Sequence, residues 1–160
     1  MRRPLPALLA LALLAGCGSG SDGPGRVRVQ VGPQDLDLEP SQGCVGGERT
    51  RYETKPPVVE VSPDAPITLT VPGAIAEQGW SVQVFDERLE EQLGEVEVPD
   101  GEARFDGIST SDAVPPAFYL VVVEDKGGDC GEFSGAWPVG FLRAGGDLSG
   151  TPSSSAPPAG

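Results

Sequence analysis

The chain has 160 residues, with 11 basic and 24 acidic side chains and a formal net charge of −13 at pH 7. Such an acidic surface is repelled by phosphate backbones, which excludes nucleic acid as a partner. Histidine is absent, which removes Ser-His-Asp and Cys-His catalysis and histidine metal sites. The 23 glycines and 17 prolines favour short strands and many turns over helices.

The chain begins with the pattern of a secretory signal. Arg2 and Arg3 precede an apolar run over residues 5–15, which ends in small residues before a cysteine. The run has about 11 residues, whereas a membrane-spanning helix needs about 20. We therefore predict a signal peptide over residues 1–16.

The sequence Leu14-Ala15-Gly16-Cys17 resembles the lipobox of bacterial lipoproteins. In those proteins the cysteine receives a diacylglyceryl group and becomes the N-terminus after cleavage, and two acyl chains give stable anchoring. The resemblance implies lipidation of Cys17 and attachment to the extracytoplasmic face of the cell membrane. The alternative is an ordinary secreted protein that is cut near the same point. Removal of the signal leaves 9 basic and 24 acidic side chains, a net charge of −15.

Composition divides the rest of the chain into three parts. Residues 17–25 are mostly Gly, Ser, Asp and Pro, which predicts a lipidated flexible tether. Residues 26–142 carry the strand patterns and form one predicted β-domain. Residues 143–160 are rich in Gly, Ser, Pro and Ala, which predicts a disordered tail.

Apolar and polar residues alternate along most of the domain, the pattern of half-buried strands. The predicted strand regions are 27–31, 34–39, a weak 49–54, 58–61, 67–71, 80–84, 96–98, 103–105, 118–124 and 133–142. Leu89 and Leu93, four residues apart, predict one or two helical turns over residues 87–93. Seven to nine short strands near ten residues apart predict an all-β fold, an antiparallel β-sandwich with immunoglobulin-like topology. A small β-barrel is the alternative.

Cys44 and Cys130 remain as a pair once Cys17 is assigned to the lipid. Glycines flank both cysteines, so we expect both in loops. Outside the reducing cytosol, such a pair favours a disulfide. A redox-active or metal-binding pair is the alternative, but it would need closer spacing or a third ligand.

Three carboxylates, Asp35, Asp37 and Glu39, share one face of a predicted strand. Carboxylate oxygens bind hard cations such as Ca²⁺. In an acid-rich chain, strand alternation alone gives the same pattern, so we favour a solvated face and expect no metal or other cofactor. The chain also lacks a P-loop, a dinucleotide fingerprint and a nucleophile elbow. We therefore expect a protein that is not an enzyme.

The predicted strand over residues 118–123 is apolar on both faces, although a sandwich strand needs only one apolar face. Tyr119, Val121 and Val123 form the second face. Either the chain itself covers this face, or the face binds a partner protein or an apolar ligand.

Two stretches resemble a known family. Residues 67–85 read as a strand, a proline-closed turn and a strand that starts at Trp80, and residues 135–139 read Gly-Ala-Trp-Pro-Val. Together they resemble the actinobacterial lipoproteins catalogued as domain of unknown function 2771, over about residues 27–141. The resemblance implies an extracytoplasmic, membrane-attached β-domain without an assigned activity, and it offers no catalytic residues.

The sequence as a whole predicts a membrane-anchored extracytoplasmic lipoprotein that acts as a non-catalytic binding or envelope-interaction module. Its expected partners are the membrane, through the lipid anchor, and an envelope protein. The alternatives are a ligand- or ion-binding lipoprotein that serves a transporter, and a purely structural envelope protein.

Overall fold

The structure, a computed structural model, describes residues 23–125 and 128–144. The predicted signal peptide, Cys17, most of the predicted tether and all but the first two residues of the predicted tail lie outside the described residues. None of the described residues belongs to a helix that could span a membrane.

The described residues form eleven strands, one α-helix and one 3₁₀ turn. The strands are β1 Val27–Val31, β2 Gln34–Leu38, β3 Gln42–Val45, β4 Glu48–Arg51, β5 Val58–Val61, β6 Pro66–Thr70, β7 Trp80–Phe85, β8 Gln92–Val98, β9 Arg104–Ser109, β10 Ala117–Glu124 and β11 Gly135–Arg143. The helix α1 is Gly73–Gln78, and the 3₁₀ turn is Gly128–Cys130.

The strands form two sheets, which confirms the predicted β-sandwich. The small sheet has the order β2-β1-β6-β9, and the large sheet has the order β4-β3-β11-β10-β7-β8. Strand β5 joins the large sheet beside β11 and runs parallel to it, whereas every other described pair is antiparallel. The described strands do not close into a barrel, so the barrel alternative is wrong.

The core lies between the sheets and is filled from alternate positions of their strands. In β1, Val27, Val29 and Val31 are buried while Arg28 and Gln30 point to solvent, because successive side chains of a strand point to opposite faces. The largest buried side chains are Trp80, Trp137, Phe118, Phe141, Leu38, Ile67, Leu69 and Leu120.

The helical turns predicted over residues 87–93 are wrong. The Asp86 carboxylate accepts hydrogen bonds from the backbone N–H groups of Glu90, at 2.8 Å, and Glu91, at 3.1 Å. Leu89 takes a left-handed conformation with φ 59°. An aspartate that bonds the backbone ahead of it favours a turn over a helix. The chain therefore turns here and enters β8 at Gln92.

The described chain is α-helical in α1 instead, within the stretch where the sequence predicted a proline-closed turn between two strands. The helix has six residues and follows Pro72, whose fixed backbone angle suits a helix start. Ile75 and Ala76 are buried in the core. Contact with the core therefore supports a helix that would be too short to form alone.

The structure confirms the disulfide between Cys44 and Cys130, whose Cα atoms are 5.9 Å apart. The expectation that both cysteines lie in loops is wrong for Cys44, which belongs to β3. Gly46 and Gly47 both have positive φ angles and make the tight turn of the β3–β4 hairpin. The glycine-rich sequence thus marks a hairpin turn.

Candidate functional site

The outer face of the small sheet is polar. Arg28 of β1 has its Nε atom 3.3 Å from Asp37 Oδ1 and 3.5 Å from Asp35 Oδ1 on β2, and all three side chains are about half exposed. Arg104 and Asp106 of β9 pair at 3.9 Å. Exposed ion pairs of this kind contribute little to stability and keep a surface solvated.

The carboxylates proposed as a weak cation site lie on or next to β2, at the edge of the small sheet. Arg28 contacts Asp35 and Asp37, and Arg26 pairs with Glu39. These arginines already supply the positive charge that a bound cation would bring. Within residues 23–125 and 128–144, no group of three His, Cys, Asp or Glu residues could hold a metal ion.

The outer face of the large sheet is apolar at its centre. Tyr119 and Val121 of β10 point away from the core cluster, and both are half-buried. The strand register places Phe85 of β7 opposite Tyr119, and Val58 of β5 lies opposite Gly140 of β11. We call Val58, Phe85, Tyr119 and Val121 the apolar stripe.

A glycine lets two members of the apolar stripe pack across β11. A Cβ atom added to Gly140 would lie 2.8 Å from Tyr119 Cε1 and 2.9 Å from Val58 Cγ2. The Tyr119 ring and the Val58 methyl group therefore lie against the Gly140 backbone. Any larger residue at this position would push these side chains away from the sheet.

The second face of β10 is covered unevenly. Val123 is only 3% exposed, although it lies outside the core cluster, whereas Tyr119 and Val121 stay half-buried. Val58 is 40% exposed. Part of the predicted interaction face is thus covered within the domain, and the part that centres on Tyr119 and Val121 remains accessible.

Carboxylates flank the apolar stripe on one side, along β8. The Glu95 carboxylate accepts hydrogen bonds from Ser81 Oγ at 3.0 Å, Gln83 Nε2 at 3.2 Å and Gln92 Nε2 at 3.3 Å. These hydrogen bonds lower the pKa of Glu95, and the bond from Gln83 has the largest effect. The carboxylate is therefore ionised at neutral pH and held in place over β7.

An acidic cleft continues from this row at the end of the sheet. Its volume is about 380 Å³. It is lined by Gln78, Gly79, Glu95, Glu97, Asp100, Asp125, Glu132 and Phe133. Burial raises the pKa of Glu97, and the negative charges of Asp125, Glu95 and Asp100 raise it further. The cleft therefore has a negative potential that a cationic side chain would reduce.

The comparisons with known proteins add no assignment: no family model matches the chain, and no curated protein or solved structure does either.

Only part of this site is predictable from the sequence. The unbroken apolar run of β10 identified Tyr119 and Val121. Val58 was missed because it reaches the face through the parallel pairing of β5 with β11, between segments about eighty residues apart in the chain. Glu95 carries no local signal in the sequence, since only the register of β7 with β8 places it opposite Gln83.

Proposed function

We propose that this protein is a lipid-anchored, extracytoplasmic, non-catalytic binding module that docks an envelope protein on the outer face of its large sheet. The observation that carries the proposal is the contrast between the two outer faces. The small sheet presents paired charges to solvent, whereas the large sheet presents the apolar stripe. An antiparallel sheet that faces only water is polar on its outer side.

The composition of the apolar stripe supports docking. Tyrosine and phenylalanine are enriched at protein interfaces because they bury a large area at low entropic cost. Tyr119 and Phe85 lie opposite each other across β10 and β7. Val121 extends the same surface along β10. Contiguous apolar groups on a protein that is otherwise strongly acidic mark an interaction surface.

The proposed location rests on the start of the chain and on the disulfide. The signal pattern and Cys17 support export and lipidation. The Cys44–Cys130 disulfide supports a compartment outside the reducing cytosol. The resemblance to the lipoproteins of domain of unknown function 2771 points to the same place, and membership of that family stays a prediction.

The anchor is tested by Cys17→Ser. We expect the variant to leave the membrane fraction and appear in the soluble fraction, because it cannot receive the diacylglyceryl group. The measurement is fractionation of cells that produce either form, followed by detergent phase partition. Cys44→Ser is the control, since it removes a cysteine of the domain and leaves the anchor. A Cys17→Ser protein that stays in the membrane would contradict lipid anchoring.

The docking surface is tested by Val121→Glu. In intact cells, a photo-reactive phenylalanine analogue at position 119 should cross-link the native protein to a defined partner, and Val121→Glu should abolish that adduct. We expect the substitution to cost only about 1 kcal/mol of unfolding free energy, because Val121 is half-buried and outside the core cluster.

The matched control is Thr68→Glu, at a half-buried outer position of a central strand in the small sheet. The new carboxylate would lie near Arg104, which already contacts the Thr68 hydroxyl at 3.5 Å. This variant should keep the adduct. Loss of the adduct in both variants, or unfolding of Val121→Glu, would show that the apolar stripe is not a docking surface.

A further inference from the structure

We infer that the partner presents basic side chains beside an apolar ridge, so that the ridge covers the apolar stripe while the basic groups reach the carboxylates of β8. This inference rests on the proposed function and assigns a chemistry to the partner of that same face. Its basis is the position and the charge of Glu95 and Glu97 on β8, which is separated from β10 and its residue Val121 by β7 alone.

The spacing of the strands sets the shape of the partner. Val121 of β10 pairs with Gln83 of β7, and Gln83 pairs with Glu95 of β8. Neighbouring strands lie about 4.8 Å apart, so the carboxylates of β8 lie about 10 Å from β10, two strands away. This distance equals the width of one helix. An amphipathic helix that lies along β10 over Tyr119 and Val121, with lysine or arginine on the flank toward β8, would contact both surfaces.

The carboxylates of β8 lack a positive partner among the described residues. Arg26, Arg28 and Arg104 pair with other carboxylates, and within the described residues neither Glu95 nor Glu97 forms an ion pair. Ser81 and Gln83, which fix Glu95, are neutral donors. Burial first, and then the neighbouring negative charges, raise the pKa of Glu97, and an incoming cation would favour its ionised form.

Electrostatic repulsion disfavours two other possible binding partners of the apolar stripe. A second copy of the chain would bring a further net charge of −13 and place its own β8 carboxylates near the same surface. An anionic lipid surface would be repelled for the same reason. Complementary charge favours a basic partner and speeds its association.

The test uses the full mature protein in a neutral detergent and a defined probe. The probe is an amidated 14-residue helical peptide of leucine and lysine, with the lysines on the polar face, and binding is measured by calorimetry. A control peptide carries glutamate in place of lysine. We expect the lysine peptide to bind and the glutamate peptide not to bind.

Two matched pairs of variants show where the peptide binds. The double variant Glu95→Gln/Glu97→Gln should weaken binding by about tenfold, because two charge contacts at a surface are lost. Asp35→Asn/Asp37→Asn removes the same charge from the opposite face and should change the affinity by less than about twofold. Val121→Ser should also weaken binding, whereas Thr68→Ser should not.

Several results would overturn the inference. Equal weakening by the two double variants would show attraction by net charge alone. If Glu95→Gln/Glu97→Gln weakens binding of the lysine peptide and Val121→Ser does not, the apolar stripe does not contribute to binding. The cross-linking experiment separates the two proposals: no adduct at position 119 contradicts the docking function, whereas an adduct to an acidic or neutral segment contradicts only the basic partner.

Discussion

Trp137→Ala is expected to lower the free energy of unfolding by about 3 to 5 kcal/mol, the range for removal of a large aromatic side chain from a core. Trp137 is fully buried, and its Nε1–H donates a 2.8 Å hydrogen bond to the carbonyl oxygen of Gly25. The substitution therefore opens a cavity and leaves that carbonyl without its donor.

The position of Trp137 makes the loss hard to absorb. It lies in β11, which pairs with β10, β3 and β5. Its ring passes over Gly135, where an added Cβ would lie 2.5 Å from Trp137 Cη2. Because β11 is held from several sides, it cannot move inward to fill the cavity.

The measurement is urea unfolding followed by the fluorescence of Trp80, the other tryptophan of the chain. Trp137→Phe is the control. It keeps much of the buried apolar volume but removes the N–H donor, so it should cost about 1 to 2 kcal/mol. A loss below about 1 kcal/mol for Trp137→Ala would show that the side chain does not support the packing between the sheets.

The strands of this fold are predictable where a single physical rule decides them. The alternation in β1 and β6 follows from burial of one face, and the apolar run of β10 follows from its central place in the large sheet. The sequence placed that strand at residues 118–124, and the structure adds only Ala117. Local patterns therefore determine these three strands.

The features that the sequence did not predict depend on contacts between distant segments or on one side chain. The parallel pairing of β5 with β11 leaves no local pattern, yet it brings Val58 to the apolar stripe. The turn at Asp86 depends on a single carboxylate that accepts two backbone N–H groups. The acidic row beside the stripe arises from cross-strand register, which hydrophobic patterning alone does not show in an exposed edge strand.

The second large effect is expected for Cys44→Ser/Cys130→Ser. The disulfide joins residues 86 positions apart, and closing a loop of this length in the unfolded chain stabilises the fold by about 4 to 5 kcal/mol on the chain-entropy model. This figure is an upper estimate, because residual structure in the unfolded chain reduces the entropy that the cross-link removes.

Hydrogen bonds that do not depend on the disulfide still hold β3 and β4 to residues 130–133 after the substitution. Arg49 donates hydrogen bonds to two carbonyl oxygens, that of Cys130 at 3.1 Å and that of Glu132 at 2.7 Å. The Gln42 side chain donates a hydrogen bond to the carbonyl oxygen of Phe133. The variant should therefore keep the fold. We expect the variant to lose stability, and its free energy of unfolding should equal that of the native protein after reduction by dithiothreitol.

Denaturant unfolding distinguishes the entropic origin of this effect from a loss of native contacts. If the disulfide acts on the unfolded chain, its removal lets that chain expand, and the slope of unfolding free energy against urea concentration should rise along with the fall in stability. A fall in stability with an unchanged slope would instead place the effect in the folded state, where the disulfide holds β3 to the 3₁₀ turn. A loss below about 1 kcal/mol would contradict both accounts and show that the Arg49 and Gln42 hydrogen bonds suffice.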